Sequence, residues 1–194
     1  MHVKSWKSKI ARKILKMFGW TIEGELPPIK KSVVAMAPHT SYWDAVIGKL
    51  VLLAFDQPHK LLGKKELFFF PMNLIMRCIG AMPIRGIKGQ NSILTVAGML
   101  REAENLHVVI CPEGGFAPTD HWNPGFIYIA QRAQVPIVLA YLDYKQRKGG
   151  ILTTIEHPES VDEVLQTIAQ YFAPITARYP ERFKLPTIKK QRIL

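Results

Sequence analysis

The chain has 194 residues, of which 48% are hydrophobic and 21% are charged. This length suits one domain with a sizeable core, and the composition excludes the low hydrophobicity of a disordered chain. Lysine and arginine outnumber aspartate and glutamate by 26 to 15, which gives a formal net charge of +11. We therefore expect a globular protein that attracts anionic partners such as anionic lipid, nucleic acid or phosphorylated small molecules.

The first predicted element is a basic amphipathic helix. Its apolar residues recur at spacings of three and four and form one stripe: Val3, Trp6, Ile10, Ile14 and Met17. Lysines and an arginine fill the positions between them. This stripe could pack on the core, and Trp6, Ile10, Phe18 and Trp20 could contact a membrane whose anionic lipids attract the lysines; the two roles can coexist. We assign residues 1–24 to a membrane-associating helix and residues 25–194 to an α/β domain.

Nothing in the sequence predicts a membrane span. The most apolar stretch, residues 67–84, is interrupted by Pro71, Asn73 and Arg77 and is not the run of about 18 apolar residues that a spanning helix needs. The N-terminal basic residues are spread out instead of preceding an apolar block, unlike a signal peptide. We expect a peripheral protein on the cytoplasmic face of a membrane, without a transmembrane helix.

Strands alternate with helices along the rest of the chain. The predicted strands cover residues 33–37, 60–63, 82–84, 107–111 and 137–144. The predicted helices cover residues 42–55, 92–105 and 126–133, together with one broken or restarted at Pro71 and one that begins at a capping box after Ser160. This alternation predicts a single α/β domain with a mixed, largely parallel sheet and helices on both faces. Ligands of such folds bind beyond the carboxyl ends of the strands.

The stretch from His39 to Asp44, which contains an imidazole and a carboxylate, connects a predicted buried strand to a predicted helix. A histidine takes protons near neutral pH, and a carboxylate near its other nitrogen orients the ring and stabilises the imidazolium, so the pair could activate a hydroxyl. Another interpretation is structural, because Ser41 and Asp44 also form a capping box and His39 could be an ordinary loop residue.

Two further motifs follow predicted strands. Arg85 comes after the strand at 82–84, and Glu113 and Gly114 follow the strand at 107–111. If the strands are parallel, these residues reach the same edge of the sheet as His39. Arg85 could hold a phosphate or carboxylate, and Glu113 could approach a polyol or orient Arg85. Taken singly, each motif is also compatible with a surface charge or a turn.

Together these motifs resemble those of the glycerolipid acyltransferase family, the lysophosphatidic acid acyltransferases and their relatives. The resemblance covers about residues 33–145 and follows the family's motif order: His39-x4-Asp44, Pro83-Ile84-Arg85, Pro112-Glu113-Gly114 and Val135-Pro136-Ile137-Val138. The segment Gly63-Lys64-Lys65-Glu66-Leu67 also resembles the family segment between the first two motifs.

The resemblance implies an acyltransferase of phospholipid biosynthesis. It would move a fatty acyl chain from acyl-CoA or acyl carrier protein, as co-substrate and without a cofactor, to a hydroxyl of lysophosphatidate or a related lysolipid. His39 would be the general base and Asp44 its orienting partner, and Arg85 with Glu113 and Gly114 would bind the acceptor. The expected partners are the acyl donor, an anionic membrane surface and the lysolipid acceptor, with no nucleic acid.

Two departures affect the acceptor more than the chemistry. The family's third motif commonly continues Glu-Gly-Thr-Arg, whereas this chain has Phe116 at the position of the arginine. The fourth motif commonly has a second proline where this chain has Leu139. The acceptor could carry a differently placed phosphate, with Arg85, Lys64, Lys65 or Lys88 compensating for the missing charge, or it could carry no phosphate at all. Histidines lack the spacing of metal ligands, so no metal is expected. The alternative function is a non-catalytic basic protein that binds lipid or nucleic acid.

Overall fold

The computed structural model describes residues 5–84 and 90–187 of the chain. Its strands are β1 (Thr21–Glu23), β2 (Lys31–Ala37), β3 (His59–Lys64), β4 (Ala81–Ile84), β5 (Leu106–Ile110), β6 (Ile137–Asp143) and β7 (Lys148–Ile155). Its α-helices are α1 (Trp6–Met17), α2 (Tyr42–Phe55), α3 (Met72–Cys78), α4 (Gln90–Glu102), α5 (Gly125–Ala133) and α6 (Val161–Phe172).

The strands form one sheet in the order β1-β7-β6-β2-β5-β3-β4. Neighbouring strands are parallel except β6 and β7, which form an antiparallel pair. The structure therefore confirms the predicted single α/β domain with a largely parallel sheet. The carboxyl ends of β2, β3, β4, β5 and β6 lie at one edge of the sheet, which we call the carboxyl edge.

Helices cover both faces of the sheet and bury β2 on both sides. Val33 and Ala35 share a core cluster with residues of α4, α5 and α6. Val34 and Met36 point the other way and cluster with Leu52 of α2. This two-sided burial explains why β2 is a continuous apolar run instead of an alternating one.

Helix α1 packs on α2 through a different face from the predicted apolar stripe. Its buried residues are Ser8, Ala11 and Leu15. The Ser8 hydroxyl donates to the carbonyl of Ala54 at the end of α2 over 2.9 Å, and Arg12 Nη2 donates to the same oxygen over 3.0 Å. These two bonds satisfy a carbonyl that a helix C-terminus leaves without a partner. Of the predicted stripe, Trp6, Ile10 and Met17 are exposed.

Among the predicted membrane contacts, Trp6, Ile10 and Phe18 are exposed, with Trp6 at 67% and Phe18 at 63%. Trp20 is different, because only 8% of it is exposed and its ring meets Tyr144 edge-on at 5.1 Å between centroids. The predicted membrane contact is therefore wrong for Trp20, which packs in the core beside Leu15.

The N-terminal segment contributes a strand as well as a helix. Helix α1 ends at Met17, and Thr21–Glu23 then pairs with β7 at the edge of the sheet. The predicted helical segment 1–24 therefore includes part of the sheet. Within residues 5–84 and 90–187, no helix has both the length and the apolar character of a membrane span.

Candidate active site

The His39–Asp44 pair lies at the carboxyl edge, where the chain leaves β2 and enters α2. His39 Nδ1 is 3.8 Å from Asp44 Oδ2, which is an ion-pair distance and too long for a hydrogen bond. The Asp44 side chain is 3% exposed, whereas the His39 side chain is 20% exposed. A buried carboxylate therefore faces an imidazole that solutes can reach.

The Asp44 carboxylate accepts four hydrogen bonds that fix its position. Oδ2 accepts from the backbone N–H of Thr40 over 2.6 Å and of Ser41 over 2.7 Å. Oδ1 accepts from the Ser41 hydroxyl over 3.0 Å and from the Tyr144 hydroxyl over 2.5 Å. Asp44 therefore forms the predicted capping box at the start of α2 and also faces His39.

The environment of His39 favours its neutral form. Burial lowers the pKa of His39 below its ordinary value, and the nearby negative charge of Asp44 opposes that shift only in part. A neutral imidazole at pH 7 has a lone pair with which it can accept a proton. The pair therefore has the protonation state that a general base requires.

Glu113 joins the third motif to the first. Its Oε1 accepts a hydrogen bond from the backbone N–H of His39 over 2.7 Å, and its buried Oε2 has no partner among the described residues. Burial raises the pKa of Glu113 to about 7, against the effect of its backbone hydrogen bonds. The next residue, Gly114, has φ +71°, a backbone conformation that residues other than glycine rarely adopt.

Phe116, which stands where the family has arginine, forms an aromatic wall beside His39. Its ring centroid lies 4.8 Å from that of His39 and 4.7 Å from that of Tyr42. The substitution therefore replaces a positive charge with an apolar surface next to the imidazole.

The remaining predicted residues divide into three groups. Arg85 lies outside the described residues. Lys64 ends β3 at the carboxyl edge, and its side chain lies outside the described part. The fourth motif lies at the opposite edge, where Pro136 accepts a hydrogen bond from the N–H of Val33 over 3.1 Å as β6 begins. That motif pairs β6 with β2 and does not reach the site.

Sequence patterns missed the contribution of the C-terminal segment, residues 173–187, which we call the C-terminal strap. The Tyr144 N–H donates to the carbonyl of Thr176 over 2.9 Å, and the Tyr179 N–H donates to the Thr40 hydroxyl over 3.3 Å. The strap therefore contacts the loop between β2 and α2, which holds His39 and Thr40. Because these bonds join residues far apart in the chain, no local motif signals them.

Tyr144 is a second residue that the sequence did not single out. Burial, and then its hydrogen bond to Asp44, raise the pKa of Tyr144, so the phenol stays protonated and donates to the carboxylate. Its ring also supports the guanidinium of Arg178, whose Cζ lies 5.7 Å from the ring centroid.

Comparison with protein families gives one match that bears on this site. The family model described as Acyltransferase matches residues 19–143, which include β2, the His39–Asp44 pair and the Glu113 loop. No curated protein matches the chain as a relative. Because the family match covers more than half of the chain, this protein belongs to the Acyltransferase family, which includes glycerolipid acyltransferases such as lysophosphatidic acid acyltransferase.

Proposed function

We propose that this acyltransferase moves a fatty acyl chain from acyl-CoA or acyl carrier protein to a hydroxyl of a glycerolipid-type acceptor, such as lysophosphatidate or a related lysolipid. The observation that carries the proposal is the reachable neutral imidazole of His39 facing the buried Asp44 carboxylate. This arrangement suits general-base activation of an alcohol.

In the proposed reaction, His39 removes the hydroxyl proton while the acceptor oxygen forms a bond to the thioester carbonyl carbon. Asp44 stabilises the imidazolium, and the 3.8 Å gap between the two side chains shortens as the charge develops. The tetrahedral intermediate then collapses: the carbon–sulfur bond breaks, and His39 returns the proton to the thiolate. The products are the acylated lipid and the free thiol.

The carbonyl oxygen becomes an anion in this step and needs donors. The N–H groups of Thr40 and Ser41 already donate to Asp44. We therefore assign the oxyanion to the next N–H groups of the first turn of α2, at Tyr42 and Trp43, because the first N–H groups of a helix have no intrahelical acceptor.

Membrane association is part of the proposal, because both the acceptor and the product are amphiphiles. The exposed side chains of Trp6, Ile10 and Phe18 supply apolar contacts, and the exposed lysines of α1 supply charge toward anionic lipid. We propose a peripheral enzyme at the cytoplasmic face of the membrane.

The test is acyl transfer from acyl-CoA and from acyl carrier protein to a panel of lysolipids by the wild type and by His39→Ala. We expect turnover to fall by about 10²- to 10⁴-fold, the usual contribution of a general base, with the far-UV circular dichroism unchanged. His157→Ala removes an exposed histidine and is the matched control. Undiminished transfer by His39→Ala would refute the mechanism.

The non-catalytic alternative makes a different prediction. A protein that only binds lipid or nucleic acid would consume no thioester with any acceptor. Sedimentation with anionic vesicles and with oligonucleotides separates its two forms, and binding to oligonucleotides without binding to vesicles would contradict the membrane proposal.

A further inference from the structure

A mostly apolar groove whose lining includes two arginines lies beside Tyr144 and Trp43, the residue before Asp44. It has a volume of about 440 Å³ and runs between α1 and α2, with Phe18, Trp43 and Val46 among its walls. This volume falls within the range of about 300–1,000 Å³ that is typical of small-molecule sites. Arg147 and Arg178 complete the lining. Apolar walls with cations in the lining match an amphiphile that has a negatively charged headgroup.

Arg178 comes from the C-terminal strap and lies close to the catalytic carboxylate. Its Cζ is 5.6 Å from the ring centroid of Trp43 and 5.7 Å from that of Tyr144. Trp43 is the residue before Asp44, and the Tyr144 hydroxyl donates to Asp44. The aromatic rings therefore hold the guanidinium beside the catalytic loop, and the bond from the Tyr179 N–H to Thr40 anchors the strap there.

Neither arginine is neutralised by an acidic residue. Within the described part of the chain, no carboxylate lies at ion-pair distance from Arg147 or Arg178. Arg147 Nη1 donates to the carbonyl of Phe18 over 3.4 Å, which keeps this side chain over the end of α1. The Arg178 guanidinium also hydrogen-bonds the side chains of Tyr179 and Tyr144. A guanidinium carries five N–H donors, so Arg178 has further donors with which to bind a phosphate.

We infer that Arg178, together with Arg147, binds the anionic headgroup of a single-chain phospholipid whose acyl chain lies in the groove between α1 and α2. This inference rests on the proposed function, because it identifies that phospholipid with the acyl acceptor. It also explains how a chain with Phe116 in place of the family's arginine holds a phosphate. The replacement charge comes from a segment beyond the matched residues 19–143.

The test compares two acceptors of equal chain length, lysophosphatidate and monoacylglycerol, below their critical micelle concentrations. We expect Arg178→Gln to raise KM for lysophosphatidate about 10- to 100-fold, because it removes charge-assisted hydrogen bonds, and to change KM for monoacylglycerol less than about twofold. Arg178→Lys should give an intermediate value because it keeps the charge and loses the fork. Arg132→Gln, an exposed arginine at the end of α5 near the opposite edge, is the matched control and should change neither value.

Each result of this comparison decides the inference. A rise in KM that is equal for both acceptors, or no rise at all, would overturn it. Fluorescence titration of lysophosphatidate provides a readout that does not require turnover, since Trp43 lines the groove. If the wild type transfers to no acceptor, the proposed function fails. Weaker lysophosphatidate binding by Arg178→Gln would then still support the anion site, and unchanged binding would overturn it.

Discussion

Replacing Glu113 with glutamine should make the protein more stable at alkaline pH. The native Glu113 carboxyl is buried, one oxygen accepts the His39 N–H, and the other has no partner in the described structure. Burial raises the pKa of Glu113 to about 7, compared with an ordinary value near 4.5. Between these two values the native state retains a proton that the unfolded state has released. The free energy of unfolding therefore falls as the pH rises through this interval.

The size of the effect follows from the difference between the two pKa values. One pKa unit corresponds to about 1.4 kcal/mol, so the wild type should lose about 3 kcal/mol between pH 4.5 and pH 8 through this carboxyl group. Glu113→Gln keeps an oxygen that can accept the His39 N–H and carries no ionisable proton. The stability of the variant relative to the wild type should therefore increase by about 3 kcal/mol over the same interval.

Urea unfolding followed by tryptophan fluorescence at several pH values between 4.5 and 8 measures this difference. Subtracting the wild-type curve from the variant curve removes the contributions of histidines such as His107, whose pKa burial lowers to about 4. Glu104→Gln, which neutralises an exposed carboxylate, is the control and should follow the wild type. If the Glu113→Gln and wild-type curves are parallel, the argument that burial keeps Glu113 protonated is refuted.

Three other predictions concern the site and the sheet. Tyr144→Phe should lower kcat about tenfold by removing one of four donors to Asp44, and an unchanged kcat would show that this donor does not matter. The acidic limb of the pH profile of kcat/KM should have its midpoint below 6.5, because burial lowers the pKa of His39; a midpoint above 6.5 would contradict that. Gly150→Ala should destabilise the protein by about 1–3 kcal/mol in the same urea experiment, because the new Cβ would lie 1.8 Å from a carbonyl oxygen of β1. Gly98→Ala in α4 is the control: its Cβ meets nothing within 4 Å, and it should stabilise the protein by about 0.5–1 kcal/mol.

Elements with a regular local pattern were predictable from the sequence. The apolar run of β2 and the helix after Ser41 were expected within a residue or two of where they lie, because burial on two faces and helix capping act over a few neighbouring positions. The antiparallel strand β7 was not predicted. It begins Lys148-Gly149-Gly150, and glycines are not typical of a strand pattern. They are needed here because neighbouring backbone and side-chain atoms leave no room for a Cβ.

The sequence pattern predicted helix α1 but not the face through which it packs. The three- and four-residue spacing correctly predicted a helix, but the packed face is formed by Ser8, Ala11 and Leu15 instead of the larger apolar residues. Small residues are buried there because α1 approaches α2 closely enough for Ser8 to bond the carbonyl of Ala54. Hydrophobicity alone could not have chosen this face.

By itself, the sequence predicted the α/β class, the His39–Asp44 pair and the family motifs, because each strand, helix or motif is made of residues within a few positions of one another. Only the tertiary structure decided that Glu113 bonds the backbone of His39, that Tyr144 holds Asp44, and that Arg178 lies beside them. The hydrogen bonds that link these segments join residues 74 to 139 positions apart in the chain. They exist because parallel strands bring their carboxyl ends to one edge and the C-terminal strap then crosses that edge, an arrangement that no local spacing records.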